Sequence, residues 1–119
     1  MLQKSSYANV SDRCGVWEVK LFHLYRGFKH KSGSAGTFAK VSIRRTRPNN
    51  WLKAGKKSKS IIVRTCYKRI KSDGSYIRFA ENAVVLLKKR MTPRGKELMG
   101  PVTYGLRRRK FVASFGGVV

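Results

Sequence analysis

Acidic side chains are scarce in this sequence. Five Asp and Glu stand against 28 Lys and Arg, which leaves a formal net charge of +23. The acids are Asp12, Glu18, Asp73, Glu81 and Glu97. Asp73 belongs to a stretch that reads as a turn, and the others are scattered. Neither a carboxylate pair for acid–base work nor a Ser/His/Asp or Cys/His constellation is suggested, so catalysis is not expected. Histidine and cysteine are equally sparse. Cys14, Cys66, His23 and His30 complete no C-x-x-C or H-x-x-x-H spacing, and no metal or other cofactor is expected. The two cysteines lie far apart and read as buried free thiols rather than a bridge. Long apolar runs are missing as well. Nothing approaches the ~20 residues of a membrane-spanning helix, and no long amphipathic helix is visible, so a membrane is not an expected partner. The opening Met1-Leu2-Gln3-Lys4 has no apolar stretch of the secretory kind, and no transit peptide is evident. The glycine-rich piece from Gly27 to Gly36 matches neither a phosphate loop nor a dinucleotide fingerprint.

What the sequence has in abundance is cation, spread along its whole length. Such a charge opposes compaction in dilute salt, and a polyanion would relieve it. Hydrophobic residues make up 41% of the 119 residues. That is enough for one domain, which at this size buries roughly two thirds of its unfolded surface. We expect a single domain over 1–119, with a β-barrel over about 1–90 and a loop, helix and tail over about 91–119.

The apolar periodicity is mostly that of strands. Residues 16 to 25 place Trp17, Val19, Leu21 and His23 on one face, with Glu18 and Lys20 on the other. Phe38 to Thr46 alternates clearly. Ala39, Val41 and Ile43 would face a core, while Lys40, Ser42 and Arg44 form a basic outer face. Arg47-Pro48-Asn49-Asn50 carries turn chemistry. Lys53 to Lys59 reads as a basic loop around Gly55, and a strand is expected from Ile61 to about Tyr67. Ser72-Asp73-Gly74-Ser75 predicts a hairpin turn with a return strand over Tyr76 to Phe79. Ala83 to Leu87 predicts another strand. Pro101 suits the first turn of a short helix in which Val102 and Leu106 share a side, and the tail from Phe111 to Val119 reads as a final short strand. Short strands separated by Gly and Pro argue for a small barrel, which leaves no open edge.

The basic residues gather in runs. Arg44-Arg45-Thr46-Arg47 is one. A second is Lys56-Lys57-Ser58-Lys59, with Lys53 nearby. A third is Lys88-Lys89-Arg90, continuing to Arg94 and Lys96, and the fourth is Arg107-Arg108-Arg109-Lys110. A single run of this kind is often just a solvated face. Four runs with almost no balancing acid point to nucleic acid. Arginine can fork two donors onto a phosphate, and lysine acts as a mobile point charge. The expected RNA-facing set is Arg26, Lys29, Lys31, Arg44, Arg45, Arg47, Trp51, Lys53, Lys56, Lys57, Lys59, Arg64, Lys68, Arg69, Arg78, Lys88, Lys89 and Arg90. Trp51, in a turn, is the best candidate for stacking on an unpaired base. Phe28, Tyr67 and Tyr76 are further aromatics near basic residues, and Phe79 reads as core.

The segment Ile61-Ile62-Val63, followed by Asp73-Gly74, Phe79, Asn82 and Val85-Leu86, resembles the signature of the L-fourteen ribosomal protein family. Further matches are Thr92-Pro93-Arg94-Gly95 with Gly100-Pro101-Val102, Leu106-Arg107 with Lys110-Phe111, and the opening Met1-Leu2-Gln3 with Asp12 and Gly15. Ser60 departs from the family's usual Gly or Ala, and Ser114-Phe115-Gly116-Gly117 replaces its usual ending. The resemblance implies a five-stranded β-barrel with a small C-terminal helical lobe. It also implies a structural role in the large ribosomal subunit. There the protein would bind large-subunit ribosomal RNA and face small-subunit ribosomal RNA across the interface, contributing to intersubunit bridges beside the L-three and L-nineteen proteins. In bacterial and organellar members the lobe also receives a ribosome silencing factor. Arg94, Lys96, Arg107, Arg108, Arg109 and Lys110 would then meet protein or the other subunit. The departures from bacterial relatives suggest a mitochondrial copy, and the start of the likeness at Met1 suggests an organelle-encoded one. A bacterial cytoplasmic or plastid member is the alternative. The competing functional reading is a free OB-like module for single-stranded nucleic acid. It calls for exposed aromatics on adjacent strands, and the alternation does not display them.

Overall fold

The computed structural model describes residues 2–25, 31–89, 92–95 and 98–102, together with the backbone of 117–118. Eleven strands occur there. They are β1 (Leu2–Gln3), β2 (Tyr7–Val10), β3 (Val16–Leu24), β4 (Ser32–Gly33), β5 (Phe38–Thr46), β6 (Lys57–Arg64), β7 (Arg69–Ile70), β8 (Tyr76–Ile77), β9 (Ala83–Leu87), β10 (Pro101–Val102) and β11 (Gly117–Val118). Five of them close a barrel in the order β2-β3-β5-β6-β9. The neighbours run antiparallel except at the closure, where β2 and β9 pair in parallel through Asn9 with Ala83 and Val10 with Val84. Closure gives every barrel strand two partners and leaves no unpaired edge. The expected small five-stranded barrel is therefore the fold.

The barrel interior is built from alternate residues of its strands. Ala8 and Val10, Val19 and Leu21, Ala39, Val41 and Ile43, Ile62, and Val84 and Leu86 form one apolar cluster, which Leu2, Leu24 and Leu52 help to close. A second cluster lies on the opposite face of β6 and β9. It joins Ile61, Val63, Ala83, Val85 and Leu87 to Leu98 and Val102, with Phe38 against it. The segment around 98–102 thus roofs the outside of β6 and β9. These two strands are buried on both faces, which is why Ile61-Ile62-Val63 and Ala83-Val84-Val85-Leu86-Leu87 are unbroken apolar runs.

β5 follows its alternation, with Ala39, Val41 and Ile43 fully buried. β3 departs from the expected simple pattern. Val16, Val19, Leu21 and Leu24 point inward, while Trp17 and His23 are exposed. Register shifts fall between Val16 and Glu18, between Glu18 and Val19, and between Leu21 and His23. The first and third leave two residues of β3 opposite one step of β5, and the second leaves two steps of β5 opposite one of β3. A bulge of this kind inserts an unpaired residue and moves the next inward position along by one.

β6 also differs from expectation. It begins at Lys57, inside the predicted loop, and ends at Arg64 rather than near Tyr67. The Asp73-Gly74 turn is where the sequence puts it, and it joins the two-residue strands β7 and β8. Gly74 has φ 87°, Lys71 N–H donates to Ser75 O at 2.8 Å, and Asp73 Oδ1 accepts from both the backbone and the hydroxyl of Ser75. The return strand is shorter than the predicted run to Phe79. The predicted helix after Pro101 lies outside the described residues beyond Val102. Pro101 and Val102 themselves pair in parallel with Gly117 and Val118, in keeping with a strand in the tail. Both cysteines are free thiols, but Cys14 is only half-buried and Cys66 is exposed, so the expectation of two buried thiols fails.

Candidate nucleic-acid interface

The outer face of β3, β5 and β6 gathers cations by register. Lys20 pairs with Ser42, which pairs with Lys57, and His23 pairs with Lys40, which pairs with Lys59. Lys40 and Lys59 therefore sit directly opposite one another, an arrangement that costs stability unless a counter-charge is supplied. The acid near this face is Glu18, 3.8 Å from Arg45 Nη1 in an exposed pair that contributes little. Lys20 and Lys40 were not in the expected RNA-facing set. The alternation of β5 pointed to Lys40 and that of β3 put Lys20 on its outer side, while the strand register sets Lys20 beside Ser42.

At one end of this face the β5–β6 connection presents Trp51. Asn49 takes φ 59°, a left-handed conformation that Asn tolerates. The Asn50 side-chain amide donates to Cys14 O at 3.2 Å and to Leu52 O at 3.3 Å, and Leu52 is buried in the barrel core. The neighbours on both sides of Trp51 are thus fixed, while the indole itself is 84% exposed. Arg44 and Arg45 at the end of β5, and Arg47, Lys53 and Lys56 in the connection, are all exposed.

The remaining expected residues divide. Lys31, Lys57, Lys59, Lys68, Arg78, Lys88 and Lys89 are exposed. Arg69 is half-buried and donates to Ala35 O at 3.2 Å; Arg94 is half-buried and donates from Nε to Ser58 Oγ at 3.3 Å. Arg26, Lys29, Arg90, Lys96, Arg107, Arg108, Arg109 and Lys110 lie outside the described residues, as does Phe28.

Arg64 is a correction to the RNA-facing set. It is 5% exposed, and its guanidinium is occupied from within. Nη1 donates to Met99 O at 2.8 Å and to Pro101 O at 3.2 Å, and Nη2 meets Glu81 Oε1 at 3.0 Å. It fastens the roof segment to the end of β6. Gly100 is required beneath it, because a Cβ there would come within 2.5 Å of Arg64 Nη1.

Asp12 forms a second fastening. It accepts from Gly95 N–H at 3.1 Å and from the Cys14 thiol at 3.3 Å, and Asp12 bridges Leu98 through the backbone. A Cβ at Gly95 would lie 2.8 Å from Arg13 N, so the two segments meet only because that position is glycine. Burial raises the Asp12 carboxyl above its ordinary range, partly offset by these hydrogen bonds. Burial, with the Asp12 charge added, pushes the Cys14 thiol up to about 12. No local feature of the sequence signals that Asp12 and Gly95, 83 residues apart, meet.

Among the described residues no group of three or more His, Cys, Asp or Glu is placed to hold a metal ion. Exposed aromatics do occur on adjacent strands. Tyr7 of β2 and Trp17 and Phe22 of β3 all face solvent, with Lys20 Nζ 5.5 Å from the Tyr7 ring and Lys57 Nζ 5.7 Å from that of Phe22. Of these three, Trp17 is the one that the simple alternation of β3 placed on the inward face.

Comparison with known proteins agrees with this architecture along the chain. The family model described as ribosomal protein L14p/L23e matches residues 1–115. A relative from Tetrahymena pyriformis, named large ribosomal subunit protein uL14m, is 50% identical over 119 residues, covering all of both chains. That relative is a mitochondrial ribosomal protein, and the likeness over both full lengths assigns this chain to the mitochondrion. With its closed five-stranded barrel and its aliphatic β6 and β9, the chain belongs to the ribosomal protein L14p/L23e family.

Proposed function

We propose that the protein is a structural constituent of the large ribosomal subunit. It binds large-subunit ribosomal RNA near the subunit interface and contributes to intersubunit bridges. The observation that carries this reading is the cationic outer face of β5 and β6, with Lys40 opposite Lys59 and an exposed Trp51 at its end. Its mechanism is neutralisation of phosphate charge combined with shape fit. Lys57, Lys59, Arg44, Arg45 and Arg47 supply charge, and Trp51 supplies a ring for an unpaired base. Small-subunit ribosomal RNA and the L-three and L-nineteen proteins are the neighbours the family likeness suggests, with a ribosome silencing factor as a candidate partner of the C-terminal segment. Arg94, Lys96 and Arg107 to Lys110 are the candidates for those contacts.

Co-sedimentation tests the reading. The protein should travel with the large subunit at high magnesium, and exclusive recovery in a light soluble fraction would overturn it. Binding to ribosomal RNA fragments should weaken with salt. Neutralisation of roughly eight phosphates corresponds to a log–log slope of about −6 to −7, and a slope near zero is incompatible with the mechanism. The double variant Arg107→Glu/Arg109→Glu should enter subunits poorly while keeping a folded barrel.

A further inference from the structure

The β7–β8 hairpin carries a groove of about 410 Å³ lined by Cys66, Tyr67, Lys68, Ile70, Tyr76 and Arg78. Tyr67, Ile70 and Tyr76 are 60%, 66% and 63% exposed. Ile70 and Tyr76 are direct cross-strand partners, so these apolar groups form a patch rather than isolated exposures. The rim is cationic, with Lys68 and Arg78 both exposed. The hairpin's own acid, Asp73, is engaged by Ser75, whose hydroxyl and N–H hold its carboxyl below the ordinary range.

The walls are fixed before any ligand arrives. Cys66 N–H donates to Asn82 Oδ1 at 2.9 Å, the Thr65 hydroxyl donates to Tyr67 O at 3.3 Å, and Phe79 N–H donates to Thr65 O at 3.1 Å. Lys68 Nζ stands 5.6 Å from the centroid of the Tyr76 ring. Planar rings, an aliphatic neighbour in Ile70 and flanking cations suit a planar group attached to an anion. An apolar peptide would leave Lys68 and Arg78 without counter-charge.

We infer that this groove holds an unpaired nucleotide of ribosomal RNA, its base stacked on Tyr67 or Tyr76 and its phosphate drawn to Lys68 and Arg78. The inference rests on the proposed RNA-binding role and adds a site remote in sequence from Trp51. It gives the protein a means of preferring a folded RNA with an extruded base over a plain duplex, because stacking needs a base out of the helix.

The test compares two RNA probes on the full-length protein, an RNA stem-loop with unpaired loop nucleotides and a blunt duplex with the same number of phosphates. The double variant Tyr67→Leu/Tyr76→Leu keeps the groove apolar and removes its rings. It should bind the stem-loop roughly tenfold more weakly and the duplex unchanged, a loss in the range expected for one stacked base. Photo-crosslinking with 5-iodouridine in the loop should mark the wild-type peptides containing Tyr67 or Tyr76. If both probes bind as before and the crosslinks fall elsewhere, the groove assignment is overturned while the RNA-binding role stands. If neither probe binds the wild-type protein, the RNA-binding role itself has failed. Loss of co-purification with another ribosomal protein, with both RNA affinities intact, would make the groove a protein contact and also overturn the proposal.

Discussion

Arg64, at the end of β6, and the Arg44–Arg47 run, ahead of that strand, do opposite work. At Arg64 the fold supplies two carbonyls and a carboxylate, and the charge is consumed inside the molecule. At Arg44, Arg45 and Arg47 it supplies almost nothing, apart from the exposed contact between Arg45 and Glu18. The same side chain is a fastener where acceptors surround it and a contact surface where they do not. The fastened region answers its charge from within the molecule, although the buried Nε of Arg64 has no hydrogen-bond partner. The β5–β6 face keeps facing lysines that only an outside anion can satisfy.

The largest effect should come from breaking the fastener. Arg64→Ala leaves the Met99 and Pro101 carbonyls without their buried donor and frees Glu81. We expect a loss of about 2 to 4 kcal/mol, read as a fall in the unfolding midpoint in urea. An unchanged midpoint would mean that the roof segment is held by its apolar contacts alone.

Asp12→Ala removes the acceptor for Gly95 and should cost about 1 to 3 kcal/mol. It should also unmask Cys14. In the native protein at pH 8 a thiol at about 12 has roughly one part in ten thousand as thiolate, so iodoacetamide should label exposed Cys66 and spare Cys14. The sign of the pH effect follows from the same shift. The folded state favours the protonated Cys14 thiol, so its contribution is complete below the ordinary value of 9.0 and disappears as pH rises through about 12. Equal labelling of the two cysteines at pH 8 would contradict the burial of Cys14.

Gly74→Val is smaller again, at about 1 to 2 kcal/mol. No atom lies within 4 Å of a Cβ there, so the strain is that of φ 87° alone, and Gly74→Asn should recover most of it. The smallest stability change should belong to Arg44→Gln/Arg47→Gln, within about 0.5 kcal/mol, as for other exposed positions. The same pair should flatten the salt dependence of RNA binding by roughly 2 in log–log slope. A large loss of stability in that pair would mean that the exposed arginines are structural after all, and the contrast with Arg64 would disappear.

Much of the barrel was legible because its cause is local. Alternation in Phe38 to Thr46 specifies which face is buried, and Asp73-Gly74 specifies a turn whatever surrounds it. The unbroken apolar runs at 61–63 and 83–87 marked strands, but not what covers their second face. β3 was misread because bulges opposite β5 reset its inward positions, and a bulge depends on the partner strand. Among the site residues, the basic runs and exposed Trp51 were visible in the sequence. The exposed aromatics of β2 and β3 and the removal of Arg64 from the surface were not.

The amino-acid order by itself determined the excess of cation, the strand periods, the principal turn and the family to which the chain belongs, since each is a property of neighbours along the backbone. Only the closed barrel decided which cations remain outside. Whether an arginine or an aspartate is spent internally depends on carbonyls, carboxylates and glycines brought beside it from distant segments, as Met99 and Pro101 are brought to Arg64 and Gly95 to Asp12.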